Sequence, residues 1–578
     1  MRLLIKTILL LLLTSTAYAA SPVIFYSDLT SGPKTGGQSN NGVFVTIWGN
    51  NFGASQGSST VTVGGGAVAS YQTWTNTMVC FQLGASAATG NIVLTTSAGA
   101  SNGISFTVQS GAIYFVDPTQ GSNGSGTYAS PFNHLWYAYN IQAAGDTVYV
   151  RAGSITDEID GYGGWHSILA ENGAPATSGS PIAWVAYPNE TVTLTATGGA
   201  PTWSQGSSGA GGESQTAYIF RNIGYIVVSK LNLRFTGSSA NLQSLIGGGC
   251  GARIVGNDLS ATVYTYGEID YQGGACVGEI LGNTIHDSGA NYGSTQNQSH
   301  SIYIDGPNNP FEVAWNYMYN NQKKGWEISN YQNCPRIGTI HDNLIIANSA
   351  GSDKGILADG AGDGMAGNPD TASTMYTNNV KVYNNILVNT GQNNNGGDIQ
   401  TVCGTNYIYN NTVYGSGTES QGMIQETSYS CGPSGGNEVF YMANNILYGN
   451  VSGLYISNTN GSAPTWADFV VLADNIYYGE GNGPTQDTTA INANPQLVSP
   501  TTNTSGNWQL QSSSPAIGAG YNTNSVVSSD YVGLTRPTSP AVGAYEYATG
   551  GGGGGGGTTT TLQSILSGKL ILSGKVAY

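Results

Sequence analysis

The chain has 578 residues, 85 of them glycine, and only 8% carry charge, for a net of −16 at neutral pH and an isoelectric point near 4.5. Soluble domains average about 25% charged residues, so this composition suits many short strands joined by tight turns and excludes a helical bundle. It also leaves no basic surface to neutralise the phosphates of a nucleic acid, and an acidic polysaccharide would need a bridging cation such as calcium.

Residues 1–20 read MRLLIKTILLLLLTSTAYAA. Arg2 and Lys6 precede an apolar run that closes on Ala17, Tyr18 and Ala19, the layout of a secretory signal peptide. The remainder is expected to be secreted or held at the cell surface. No later stretch reaches the roughly 18 to 20 uninterrupted apolar residues of a membrane-spanning helix, so no membrane span is expected. Six cysteines are too few for a disulfide scaffold at this length, and packing must carry the fold.

Residues 21–110 hold short alternating runs (VFVTIWG, STVTVGG, TMVCFQL, NIVLTTS, ISFTV) between Gly, Asn and Ser clusters, which predicts a small β-sandwich. Through "SPVIFYSDLTSGPKTGG", "VTIWGNNFGAS" and "STVTVGGGAV" this segment resembles the immunoglobulin-like IPT/TIG domain. The resemblance implies a spacer or a binding module without chemistry of its own.

Residues 111–548 differ in texture. "SPFNHLWYAYNIQAAGD" spaces its apolar residues as a short helix, expected to cover the open end of the β-rich region after it. A repeat in that region places one Asn in each β-rich unit, at 257, 283, 316, 343, 385, 411, 445 and 475, with Asn232 extending the series backwards. A solenoid needs such units, and one Asn per coil can pass amide hydrogen bonds up the stack. With the opening "YFVDPTQGSNGSG" and the ending "SSSPAIGAGYNTN", the segment resembles the right-handed parallel β-helix, or pectate-lyase-like, superfamily. That resemblance implies an all-β architecture and a polysaccharide lyase, a glycoside hydrolase, a uronan epimerase or a non-catalytic surface protein. No pectate-lyase R-x-P-x-x-R and no polygalacturonase G-H-G or R-I-K is present, so no catalytic residue carries over from a relative. Residues 549–578 read as a glycine-rich linker and tail.

Cys250 and Cys276 each precede a ladder Asn by the same distance, so they occupy one site in adjacent coils and are expected to form a disulfide. A loop bridge between Cys403 and Cys431 is left open, and Cys80 and Cys334 read as buried thiols.

A second column runs beside the Asn repeat. Aligning "HSIYIDG", "KGWEIS" and "KGILAD" makes His300, Lys324 and Lys354 equivalent in consecutive coils. Strand alternation then turns Ile302, Ile304, Trp326, Ile328 and Ile356 inward and Tyr303, Asp305, Glu327 and Asp359 outward, while Asp398 falls inward. His286 and His341 lie in the same stretch, and Asp353 and Asp363 flank its third coil. A uronate lyase needs a base and a cation beside the substrate carboxylate. The candidates are Lys324 or Lys354 as base, with His300 and Tyr303 as alternatives, and Asp305, Asp353, Asp359 and Asp363, beside Glu327, as calcium ligands. A hydrolase would instead pair Glu327 with Asp305 or Asp359 at about 5 to 10 Å. Cross-strand ion pairs on a solvated face are the structural reading of the same residues, as they are for Arg151, Lys230 and Arg253. The expected partner is an extracellular polysaccharide, engaged by a monomer.

Overall fold

The computed structural model describes residues 20–547 except 157–175, 197–218, 237–243, 263–266, 272–275, 290–299, 305–309, 323–324, 331–336, 348–353, 360–378, 392–396, 403, 416–421, 427–438, 450–453, 459–461 and 480. The N-terminal strands form two sheets, one of Val23–Ser27, Phe44–Asn50, Met78–Gln82 and Ser70–Trp74, the other built on Thr60–Val63, Gly90–Thr96 and Ile104–Val108. Alternate residues of both, among them Val45, Ile47, Val61, Phe81, Ile92 and Phe106, close a common core.

Beyond Ile113 each complete coil gives one strand to each of three parallel sheets. The first sheet runs in 12 strands from Ile113–Val116 to Phe469–Ala473, the second in 11 from Gly153–Thr156 to Ile476–Gly479, and the third in 9 from Phe220–Ile223 to Ile456–Asn458. This is the expected parallel β-helix. Its interior is stacked columns of like residues: Ile269, Ile302, Ile328, Ile356, Ile399, Ile424 and Ile456 succeed one another in register in the third sheet. Burying each such side chain stabilises the fold by about 1.5 to 3 kcal/mol. The predicted helix, Leu135–Ile141, packs Leu135 and Ala138 beside Val116 and Phe132 at the start of that core.

Between the first and second sheets the chain turns on two residues. One takes a left-handed backbone (φ 53 to 65°), and the next, in eight coils, is the ladder Asn. Asn257 to Asn475 form one continuous chain in which each amide donates to the next Asn carbonyl at 2.9 to 3.0 Å. Each of these amides but the last also donates to a backbone carbonyl of the preceding coil, and each carbonyl also accepts a backbone N–H, so the buried turn is satisfied internally. The last amide, of Asn475, ends on Asp487. Asn232 is not a rung. It pairs with Asp258, and Leu231 occupies the ladder position, supplying only its N–H to Asn257. Cys250 and Cys276 are bonded with Cα atoms 5.1 Å apart, and Cys80 is a buried thiol. Cys334, Cys403 and Cys431 lie outside the described residues.

The sandwich is not a detached spacer. Its strand Phe44–Asn50 lies along the first sheet, where the Tyr149 hydroxyl takes the Phe44 N–H and donates to its carbonyl. Lys230 pairs with Asp28 at 2.7 Å, and Arg253 donates to the carbonyls of Ser27 and Asp28 while holding Glu279. Lys230 and Arg253, read from the sequence as edge charges, are docking residues. Phe25 stacks on Trp315, one of the left-handed turn residues, and Tyr26 packs tilted against it. Beneath Trp315, buried His341 is held between Asp342 (2.7 Å) and Glu312 (3.1 Å) and stacks on Tyr383.

The C-terminal segment returns as a strap. Leu497, Trp508, Leu510, Tyr531 and Tyr545 pack on Leu344, Ile346, Ile386 and Ile446 of the second sheet. The turn residues Asn384, Asn410 and Asn444 donate to Ser529, Ala541 and Tyr521 carbonyls, and Arg536 is buried among Asn384, Glu546 and three strap carbonyls.

The ladder and the buried histidine each carry an expected effect on stability. Asn316→Ala removes two donors, orphans the N–H of Asn283 and leaves its amide only the Ile254 carbonyl, so the melting transition should lose at least about 3 kcal/mol; an unchanged transition would deny the ladder a structural role. Burial lowers the His341 pKa, but the bonds from Asp342 and Glu312 outweigh it and raise it to about 9. The raised value makes its contribution complete below about 6.5 and lost as pH rises through about 9. Thermal stability of the wild type should therefore decline across that window, and His341→Gln should flatten the decline.

Candidate functional site on the third sheet

The three histidines expected in one cluster occupy three different sheets: His341 the first, His286 the second and His300 the third. Three faces of one coil diverge, so sequence proximity within the repeat does not bring them together. On the second sheet His286 lies between Asp258 (3.0 Å) and Asp287 (2.7 Å), with Arg234 on Asp258 and Tyr319 stacked on the imidazole. Burial lowers the His286 pKa, and the two carboxylates raise it further than burial lowers it. That arrangement neutralises its own charges.

His300 remains on the third sheet with Trp326 and Lys354. The register sets Lys354 opposite Trp326, and Ile356 opposite Ile328. Lys324 is therefore not its equivalent: the strand pairing displaces "KGWEIS" by two residues from its alignment with "KGILAD". A two-residue slip keeps each side chain on its face while moving it along the strand, which is why alternation alone could not detect it. Lys324 itself lies outside the described residues. The Trp326 N–H donates to His300 Nδ1 at 2.9 Å, the His300 ring stacks on Tyr303 at 5.1 Å, and the Lys354 ammonium lies 5.3 Å from the centre of the Trp326 ring. Lys354 is 8% exposed, not the solvated side chain expected. An ammonium so placed is held by the face of the indole.

Glu327 is the second correction. It is 1% exposed and accepts hydrogen bonds from the Ser301 hydroxyl and the Asn321 amide. Asp398, fully buried as expected of an inward residue, accepts from Thr390. Asn321 and Thr390 sit in the turn from the second sheet to the third, so these carboxylates serve that corner. The signal was present: Ser288, Asn321 and Thr390 each come five residues after a ladder Asn.

The outward column of the third sheet consists of Asp270, Tyr303, Ser329, Leu357, Gln400, Gln425 and Ser457 in register, of which Tyr303 and Gln400 are partly exposed and the other five are buried. Neighbouring strands are about 4.8 Å apart, so the column runs parallel to the solenoid axis for about 29 Å. Asp270, Gln400 and Gln425 were missed by the sequence reading, although each comes one residue after a member of the interior isoleucine column. Asp359 ends its strand opposite Val402. Asp305, Asp353 and Asp363 lie outside the described residues. Among the described residues no three His, Cys, Asp or Glu side chains converge as a metal site.

Residues 30–112 match the IPT/TIG domain. No curated protein sequence matches the chain. Among solved structures, the pectate lyase Pel9A is similar at 15% identity and a TM-score of 0.43, over 75% of this chain and 96% of that one. XylC, solved in complex with xylose, is similar at 12% identity and a TM-score of 0.40, over 76% and 99%. A PL6 family polysaccharide lyase from Pseudopedobacter saltans is similar at 14% identity and a TM-score of 0.28, over 62% and 94%.

If Glu327 serves the corner, Glu327→Ala should cost about 2 to 3 kcal/mol of stability, because Ser301 and Asn321 lose a charged acceptor in a buried site. Chemical denaturation would measure it, and a loss within 0.5 kcal/mol, typical of surface positions at about that size, would return Glu327 to the exposed face.

Proposed function

We propose that the protein is an exported polysaccharide lyase that cleaves a uronate-containing glycan along the outer column of the third sheet. The observation that supports this most directly is the juxtaposition, in consecutive coils, of Tyr303 and His300 with Trp326 and Lys354 beside a polar column parallel to the axis. A linear glycan running parallel to the axis over this face would meet the partly exposed Tyr303 and, about 14 Å further on, Gln400. The Cys250–Cys276 bond is in keeping with an oxidising, extracellular setting.

In the proposed reaction Lys354 takes the proton next to the uronate carboxylate. The electrons of that C–H bond form the carbon–carbon double bond as the glycosidic C–O bond on the adjacent carbon breaks, and Tyr303 or His300 returns a proton to the leaving oxygen. Lys354 is nearly enclosed, and the Trp326 ring fixes its amine on the same face as His300 and Tyr303. Calcium, held by Asp305, Asp353, Asp359 and Asp363, would neutralise the substrate carboxylate. The hydrolase reading is weakened by the enclosure of Glu327, which was common to both of its carboxylate pairs.

The test is digestion of uronate-rich and neutral polysaccharides with and without calcium, read for both unsaturated-uronate absorbance and new reducing ends. Absorbance should rise on a uronate substrate, and Lys354→Ala should lower the rate at least about 100-fold while near-UV circular dichroism stays native. Reducing ends without absorbance would replace the lyase with a hydrolase. Silence on every substrate would leave a glycan-binding surface protein.

A further inference from the structure

The first sheet carries a second exposed face that neither the sandwich nor the proposed active site uses. The sandwich contacts end at Trp315. From the strand Ile337–His341 to Phe469–Ala473, the outward column is Thr339, Lys381, Tyr407, Tyr441 and Val471, all partly exposed and in register. The strap residues Val526 and Val527 pack with Tyr409 and Ala443 along its ladder side, making a shelf with one raised edge. Five strands at about 4.8 Å span about 19 Å.

Two features of the shelf point to a ligand. First, Arg151, Lys230, Arg234, Arg253 and Arg536 each hold a carboxylate, whereas Lys381 pairs with none among the described residues. Its ammonium lies 5.9 Å from the centre of the Tyr407 ring, and Tyr407 stacks in turn on Tyr441 at 4.8 Å. An unneutralised cation in a chain of net charge −16 is complementary to an anion, not to the rest of its own surface. Second, the cation is fixed on stacked phenols, which hold it at low conformational cost and set hydroxyls and ring edges along the shelf.

We infer that this shelf is a second, non-catalytic binding surface for a carboxylated polysaccharide, with Lys381 meeting a uronate carboxylate and Tyr407 and Tyr441 lying under the sugar rings beside it. The choice of a uronate glycan rests on the lyase reading, while the existence of a site on the first sheet does not. The shelf and the third-sheet column lie on different faces of the same coils, so one molecule could hold a polymer on one face while acting on a strand at the other.

Affinity electrophoresis of the full chain through gels containing polygalacturonate, or a neutral xylan, distinguishes the alternatives. Wild type should be retarded by polygalacturonate. Lys381→Ala and Tyr407→Ala should weaken that retardation about tenfold in apparent affinity, while Tyr303→Ala on the third sheet leaves most of it, and turnover of a short soluble uronate oligomer by Lys381→Ala should equal wild type. Added salt should weaken the wild-type interaction. Retardation that survives in both shelf variants but disappears in Tyr303→Ala would overturn the shelf and leave the lyase standing. Retardation by xylan alone would overturn the assigned ligand class for both faces, and absence of retardation in either gel would overturn the shelf outright. Equal melting temperatures for the variants and wild type would assign any loss to binding and not to folding.

Discussion

A coil can close only if the chain reverses sharply between its first and second sheets, and the reversal buries backbone donors with no strand opposite them. The asparagine ladder meets that constraint. Each rung satisfies its own coil, the coil before and the rung after, so the turns of eight coils form a single hydrogen-bonded system. The left-handed residue that precedes each rung sets the direction of the turn; Gly256 and Gly282 adopt that backbone without steric cost, and Asn384, Asn410, Asn444, Asp342 and Asp474 tolerate it. Where that residue projects outward it becomes an attachment point: Lys230 and Trp315 receive the sandwich, and Asn384, Asn410 and Asn444 receive the strap. A device required by local hydrogen bonding therefore also organises the tertiary contacts.

Those contacts distribute the faces of the solenoid. The sandwich lies on the first sheet over its early coils, and the strap on the second sheet and its ladder turn. Among the described residues neither partner packs on the outer column of the third sheet, which carries Tyr303 beside His300, Trp326 and Lys354. The proposal of a site on that face thus rests as much on what occupies the other two as on the side chains it carries.

The architecture was legible because its period is written in chemically costly residues. An asparagine at a fully buried position recurs only where a buried amide is needed, and the interior isoleucines recur with it. Errors came where the code is degenerate. Asn232 sits one residue past the rung because Leu231, which has no amide, holds the place, and only strand pairing reveals it. Two lysine–glycine pairs invited an alignment of "KGWEIS" with "KGILAD" that preserves inside and outside but misplaces Lys324 by two residues, Trp326 standing in its place between His300 and Lys354. Alternation put Glu327 outward, yet it could not foresee that Asn321, from the adjoining turn, would enclose it. Docking of the sandwich was illegible for another reason: Tyr149, Lys230 and Arg253 look like any outward residues until a second surface meets them. The calcium candidates Asp305, Asp353 and Asp363 fall outside the repeat of the sequence and outside the described residues.

The sandwich acts as a ruler laid against the solenoid. It is fastened at Lys230, at Arg253 and at Trp315, and its far edge touches the strap where Asn50 donates to Val532. Duplicating a coil between the first and last of these points would add about 4.8 Å to one side of a rigid four-point attachment and nothing to the other. Growth by repetition, the ordinary route by which solenoids change length, is closed over that stretch. Divergence is diverted into the connecting segments, where the interval between rungs already ranges from 26 to 42 residues at an unchanged rise per coil. A protein of this build varies its breadth and keeps its length.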